Sequence, residues 1–406
     1  MKKISIFNKN FTGYNLCQYK KGRKIINFSP GPSQNPHEVL DEIKHSIYGP
    51  DELYSYGITP FEISHRSPEF LSILNSVNSN MRKLMHIPDD FSILWTQGGA
   101  HGQFSAIPLN MLNHKTLKKA NYLVTGTWSH RAFEEASKFG NIYNSYEKTN
   151  QNLIPLEYKD IYDNITVNND EYVYLCSNET VNGIEFREDG FAYPNREILK
   201  GSKLVVDMSS DFCMKKIDWT KIDVAFACTS KNLGIPGGNI TILRKNIIKK
   251  NTNKIPCILD WNLYYENNSL YNTPPIFNIY VTDIVIKHYI EIGGIEKIEL
   301  LSKEKSKILY NFLDRSKLFS AIVQNNNIRS NINIPFIIGD GNTYIRGKFL
   351  DYCYKRNIVG LRTETPFKYE DYKLIEPLRI SLYNGITLED TQCLLKVMGE
   401  FEEIYN

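Results

Sequence analysis

The stretch Ala225–Leu243, AFACTSKNLGIPGGNITIL, decides how the rest of the chain is read. Its ends, AFAC and NITIL, have the length and make-up of buried strands, and a turn rich in glycine and proline separates them. Directly after the first run stands a lysine, Lys231. A lysine normally keeps its ammonium in water, and burying one unpaired costs enough to pull its pKa down by several units. Lys231 therefore either reaches solvent or sits where its altered basicity is used.

Working outward, the same kind of apolar run recurs. YVYLC (172–176), KLVVD (203–207) and DVAFAC (223–228) are each bounded by turn residues. Upstream, FSILWT (91–96) leads into GGAHGQF, and NYLVTG (121–126) leads into SHRAFEEASKFG, where Ser129 is positioned to cap a helix and Gly140 to end it. Ser67-Pro68-Glu69 reads as another helix start, with Phe70, Leu74, Val77, Met81 and Leu84 following at helical spacing. Strands alternating with helices predict an α/β fold with a mostly parallel sheet covered on both faces. From Pro275 the texture changes. IFNIYVTDIVIKHYIEIGG is apolar on nearly all sides and reads as a buried linking helix, and a mixed set of helices and strands follows it, as expected of a smaller α+β domain. The expected organisation is a basic arm or leader over 1–25, a large domain over 26–280 whose first residues are free to join the small domain, and a small domain over 281–406.

The length of 406 residues suits two or three compact units at roughly 150 residues each. A formal charge of +3 is too small to argue for nucleic acid or a membrane surface as partner. No apolar run approaches the roughly 18 residues of a membrane helix. Seven cysteines, with no C-x-x-C pair, fit reduced thiols in an intracellular protein. The first 24 residues carry seven Lys or Arg and no acid. They read as a basic arm on a cytoplasmic protein, with an organellar leader as the alternative.

Three features carry chemistry, and each has an ordinary reading beside it. The paired glycines of WTQGGAHGQF stand between a strand and a helix, where free N–H groups make a phosphate cradle, although Gly-Gly also simply permits a tight turn. In LVVDMSSDF, Asp207 ends a strand, where α/β proteins place ligand groups and where a turn-initiating aspartate is equally at home. Lys231 is the third, and its ordinary reading is a solvated loop lysine. Together they match what pyridoxal phosphate requires: an anion site, a partner for the pyridinium nitrogen and an amine for the Schiff base. No Walker motif or dinucleotide fingerprint competes, and no metal set is apparent.

The stretches NFSPGPSQNPHEVL, ISHRSPEF, QGGAHGQFSAIPLNML, GTWSHRAFEEASKFG, SNETVNGIEF, VVDMSSDF, SKNLGIPGG, NTPPIFNIY and LRISLYNG occur in this order. In them the chain resembles the phosphoserine aminotransferase family of class V pyridoxal-phosphate enzymes, from Ile26 to the C-terminus. The resemblance implies fold type I and a homodimer with shared active sites. It implies that Lys231 holds the cofactor and moves the substrate proton, that Asp207 pairs with the ring nitrogen, that Trp128 stacks on the ring and that Thr180 bonds beside it. Gly99, Ala100, His101 and Ser230 would present the phosphate site, joined by Asn272 and Thr273 of the second subunit. Arg379 would clamp the substrate α-carboxylate, and His65 and Arg66 would meet the distal anion. The implied reaction passes an amino group between L-glutamate and 3-phosphohydroxypyruvate, giving O-phospho-L-serine and 2-oxoglutarate, and extends to the related step of vitamin B6 synthesis.

The chain departs from the family pattern in three places. Ser230 precedes the lysine where glutamine is common, and His101 stands where some members carry arginine. The Gly-His-Arg usual after V-G-L is absent: VGL runs into RTETPFKYEDYKLIEPLR, leaving Arg362, Lys368 and Lys373 as candidate replacements. That loss keeps open a class V enzyme acting on an unphosphorylated oxoacid. A non-catalytic protein on the same fold is the reading from another class, and it has no use for Lys231 and Asp207 together.

Overall fold

The computed structural model describes residues 25–48, 59–112, 119–145, 167, 170–188, 192–249, 254–341, 343–363, 367–368 and 374–405. The basic arm, Lys373 and the side chain of Lys368 lie outside what is described. A seven-stranded sheet forms the centre. In spatial order its strands are Phe91–Gln97, Gly238–Arg244, Val224–Cys228, Lys203–Asp207, Tyr172–Cys176, Lys119–Leu123 and Asn141–Tyr143. Only Gly238–Arg244 runs antiparallel to its neighbours; the other pairings are parallel. The register places Cys176 opposite Asp207 and Asp207 opposite Phe226, so the carboxylate stands at the carboxyl edge of the sheet. The inner strands are buried along almost their whole length, as expected when both faces are covered.

The apolar spacing read from the sequence is realised in the helix Pro68–Met85. Ser67 Oγ accepts the Phe70 amide, and Phe70, Leu74, Val77, Met81 and Leu84 are buried. The helix Ile276–Glu291 is buried on nearly every side and packs on Pro68–Met85. One hydrophobic core spans the sheet and these helices, takes in residues through Ile298, and also includes Val323 and Ile328. A second core, from Leu309 through Phe401, also includes Ile26 and Phe28, whose strand pairs with Ile358–Val359. Its three-stranded antiparallel sheet, ordered Phe319–Ala321, Asn333–Ile338, Leu378–Ser381, carries Arg379.

One expectation needs correction. Ser129 does not cap its helix from outside. The helix begins at Thr127 after Gly126, and Ser129 lies in its first turn, its Oγ accepting the amides of Thr125 and Gly126. Cys176, Cys213, Cys228, Cys257 and Cys353 are free. No described helix is long and apolar enough to cross a membrane.

The two cores are joined near the site by polar ties. Tyr383 donates to the Pro30 carbonyl at 2.8 Å, and Asn384 Nδ2 donates to the Cys213 carbonyl at 2.8 Å. The segment that bears them is pinned from the small-core side by Lys305, buried on the helix Gly294–Leu313. Its ammonium donates to the carbonyls of Leu382, Tyr383 and Ile386 at 2.8–3.0 Å. Burial pulls the Lys305 pKa down to about 7, with Asp390 offsetting this from a distance. Between that value and the ordinary lysine pKa the unfolded chain holds a proton that the folded chain has lost, so stability rises with pH across this window. Relative to Lys305→Met, the wild type is expected to gain about 1 kcal/mol per pH unit from pH 7.5 to 9. Urea unfolding of both proteins at the two pH values checks this; a constant difference refutes it.

Candidate active site

The carboxyl edge of the sheet opens into a cavity of about 450 Å³. Four walls build it. The strand ends supply Cys176, Asp207 and Cys228; the turn after Cys228 supplies Ser230 and Lys231; the helix starts at Gly99 and Thr127 supply Ala100, His101 and Trp128; and the small sheet sends in Arg379.

Local chemistry explains why each wall can stand so close. Gly98 and Gly99 take positive φ values of 86° and 59°, which turn the chain from strand Phe91–Gln97 into the helix Gly99–Met111 with its first amides facing the cavity. Those amides lack partners within the helix and carry its positive dipole end, a cradle suited to phosphate. At Gly102 a Cβ would lie 2.9 Å from the Gln97 carbonyl oxygen, so the turn closes only over glycine. Opposite it, Ser33 Oγ donates to the Lys231 carbonyl and its amide donates to the Ser230 carbonyl at 3.0 Å, fixing the lysine-bearing turn.

Lys231 is half-buried, and its Nζ donates to Thr180 Oγ1 at 3.0 Å. Nζ also stands 5.7 Å from the centre of the Trp128 ring. The direction of its pKa shift reverses the expectation for an unpaired buried lysine. Burial pulls it down, but Tyr383, Cys228, Asp207 and Cys176 together outweigh burial and hold it above its ordinary value. The lysine is thus not desolvated alone; Asp207 and the polar groups around it favour its charged form.

Asp207 is buried, with Oδ1 accepting the Ser209 amide at 2.8 Å. Burial raises its carboxyl pKa, while the hydrogen bonds from Ser209 and the charge of Lys231 draw it back. Among the described residues it makes no ion pair, so a cation brought within reach would relieve the cost of burying it. Arg379 is its mirror image. It is buried, burial lowers its pKa, and its Nη1 donates to the Thr180 carbonyl at 2.8 Å. Among the described residues no carboxylate pairs with it, and both its Nε and the Trp128 Nε1 are buried without a partner.

A buried acid without an ion pair, a buried guanidinium without an acid and an amine in the same cavity fit a phosphate-bearing pyridine aldehyde together with a carboxylate substrate. Gly99, Ala100, His101, Trp128, Thr180, Asp207, Ser230, Lys231 and Arg379 all line this one cavity. His65, Arg66, Asn272 and Thr273 do not: they lie outside its walls in the single chain, with Arg66 and Thr273 exposed. The Thr273 carbonyl accepts from Gln97 Nε2 at 2.7 Å, beside the strand that feeds the phosphate cradle. Arg362 lines a separate hollow with Arg346, whose partner is Glu376 at 2.8 Å. Sequence reading missed Cys176, Asn178, Cys228 and Pro30–Pro32 as wall residues. Their only signal was membership of YVYLC, SNET, AFACTSK and SPGPS.

The chain belongs to the class V aminotransferase family: the family described as Aminotransferase class-V matches residues 25–394. Within it, the chain is 37% identical over 388 residues to a probable phosphoserine aminotransferase of Caenorhabditis elegans, covering 95% of this chain and 98% of that one. It is also 37% identical over 383 residues to a phosphoserine aminotransferase of Bacillus thuringiensis, covering 93% and 98%. Among solved structures it is similar to phosphoserine aminotransferase from Bacillus circulans, with a TM-score of 0.83 and 29% identity over 94% of this chain and 99% of that one. The pyridoxal-phosphate-bound phosphoserine aminotransferase of Trichomonas vaginalis gives 0.81 and 30%, over 92% and 99%.

Proposed function

We propose that the protein is a pyridoxal-phosphate-dependent phosphoserine aminotransferase, passing an amino group from L-glutamate to 3-phosphohydroxypyruvate. One observation carries this reading: a single cavity joins Lys231, an Asp207 carboxylate that forms no ion pair among the described residues and an Arg379 guanidinium without an acid. Relatives with that name match the chain over nearly its full length.

When bound, pyridoxal phosphate supplies an aldehyde carbon that takes up an amine and a ring that draws electron density from the substrate Cα. The rest falls to the chain. The helix start at Gly99–His101 and the Ser230 hydroxyl hold the phosphate. Asp207, with Ser209 and Tyr174 orienting its oxygens, keeps a proton on the ring nitrogen. Trp128 covers one face and keeps water from it. Lys231 carries the proton to and from Cα, and Thr180 Oγ1, its acceptor, sets the line along which Nζ approaches. Arg379, anchored by the Thr180 carbonyl, receives the α-carboxylate with its free nitrogens.

The finer organisation is proposed on the same footing. Large and small domains over 26–280 and 281–406 are proposed on two main cores, with residues from Val281 to Ile298 packing into the larger and Ile26 and Phe28 into the smaller. A homodimer with shared sites is supported by the position of His65, Arg66, Asn272 and Thr273 outside the cavity of their own chain, free to serve a partner's. We place the enzyme in the cytoplasm and extend its substrates to the phosphorylated oxoacid of vitamin B6 synthesis.

The test is turnover of glutamate with 3-phosphohydroxypyruvate, pyruvate and glyoxylate. The phosphorylated acid is expected to be preferred in kcat/KM by about 10²-fold or more, the discrimination available to a site built with cations for the phosphate. Equal or better turnover of pyruvate or glyoxylate would select the unphosphorylated-substrate reading.

A further inference from the structure

We propose that Glu179 is a positioning residue for the reaction, holding the Trp128 ring over the cavity through the first turn of the helix Thr127–Ala136. The inference rests on the aminotransferase reading, which makes Trp128 the platform of the reaction centre.

A helix start normally finds its cap next door in sequence. This one does not, because its N-cap is Gly126, which has no side chain. The donors are met from a turn some fifty residues away. Asn182 Oδ1 accepts the Thr127 amide at 2.9 Å. Glu179 Oε2 accepts the Trp128 amide at 2.9 Å, and Oε1 accepts the Ser129 amide at 2.8 Å. Glu179 is fully buried and forms no ion pair among the described residues, so the helix end and its dipole are what balance its charge. Burial raises its pKa, and its bonds to Ser129 and Trp128 oppose the rise.

Glycine at 126 is required by this arrangement. A Cβ there would stand 2.7 Å from Glu179 Cδ and 2.6 Å from Asn182 Oδ1. The sequence has given up a local cap so that the carboxylate can reach the backbone of Trp128 directly.

The same turn holds the other working groups. Its next residue, Thr180, accepts from Lys231 Nζ through its hydroxyl and from Arg379 Nη1 through its carbonyl. The Gly183 amide donates to the Glu179 carbonyl at 2.8 Å and closes the turn. Ring, amine and guanidinium are therefore referenced to one short piece of backbone, and Glu179 is the link that includes the ring. A carboxylate that only stabilised the helix would not need that address.

The test uses the holoenzyme with four proteins: wild type, Glu179→Gln, Trp128→Ala and the double variant. Glutamine keeps the shape and one amide acceptor but drops the charge. Glu179→Gln is expected to lower kcat about tenfold with the KM for glutamate changed less than about twofold, and to alter the visible circular-dichroism band of the bound coenzyme. In the Trp128→Ala background the same substitution is expected to change kcat less than about twofold, because the ring it positions is gone. Glu179→Asp, which retains the charge on a shorter arm, is expected to fall between wild type and Glu179→Gln, and it serves if Glu179→Gln does not fold. Unchanged kcat and band in the single variant, or a full multiplicative loss in the double variant, overturns the proposal. A wild type that retains no coenzyme on dialysis refutes instead the aminotransferase reading beneath it.

Discussion

Replacing Lys231 with alanine is expected to lower kcat by at least about 10³-fold, while the protein still folds and still binds the coenzyme non-covalently. The substitution removes the only amine among the cavity-lining residues. Nothing else on those walls can both bond covalently to an aldehyde and carry a proton at Cα. The phosphate cradle is built from backbone of a different element, the helix Gly99–Met111, so binding survives the loss. The measured signature is a split: near-normal coenzyme titration by fluorescence quenching, with single-turnover transamination almost abolished. Losing both together would mean that Lys231 shapes the pocket rather than working in it.

The second large effect separates activity from stability. Asp207→Asn is expected to lower kcat by about 10³-fold while leaving the coenzyme attached to Lys231. Asparagine retains an oxygen for the Ser209 amide but cannot hold a proton on a ring nitrogen by charge. In the coenzyme-free protein the change runs the other way. The folded-state pKa of Asp207 is raised by burial, so at neutral pH folding must bury an ionised group against its preference. Removing that charge is expected to raise the melting temperature of the coenzyme-free form, and adding coenzyme is expected to favour the wild type. Scanning calorimetry with and without coenzyme reads both signs. A lower melting temperature for the coenzyme-free variant would show that Asp207 is a structural cap and not a poised counter-charge.

Much of this was legible in the sequence, for physical reasons that differ by element. The parallel strands are short apolar runs because both faces of the sheet are covered, and Asp207 and Lys231 stood out as polar residues at the ends of such runs. The helix Pro68–Met85 announced itself through cap, proline and spacing. The antiparallel insertion of Gly238–Arg244 between Phe91–Gln97 and Val224–Cys228 did not, since a fully buried strand reads the same in either direction. Glu179 was passed over for a related reason. Its partners are amides of another segment, and a non-local cap leaves no pattern around the residue that provides it. The sign of the Lys231 shift was hidden because it depends on Tyr383, Cys228 and Cys176, brought together only by folding. His65, Arg66, Asn272 and Thr273 are motif residues that one chain does not bring into its own cavity.

The central claim is that one amine, on the turn after Val224–Cys228, bonds the coenzyme. Borohydride reduction of the yellow holoenzyme, followed by digestion and mass mapping, tests it most directly. A phosphopyridoxyl adduct on the peptide containing Lys231, absent from Lys231→Ala, is the predicted result. An adduct on a different lysine, or a protein that keeps its colour unreduced, would contradict the account.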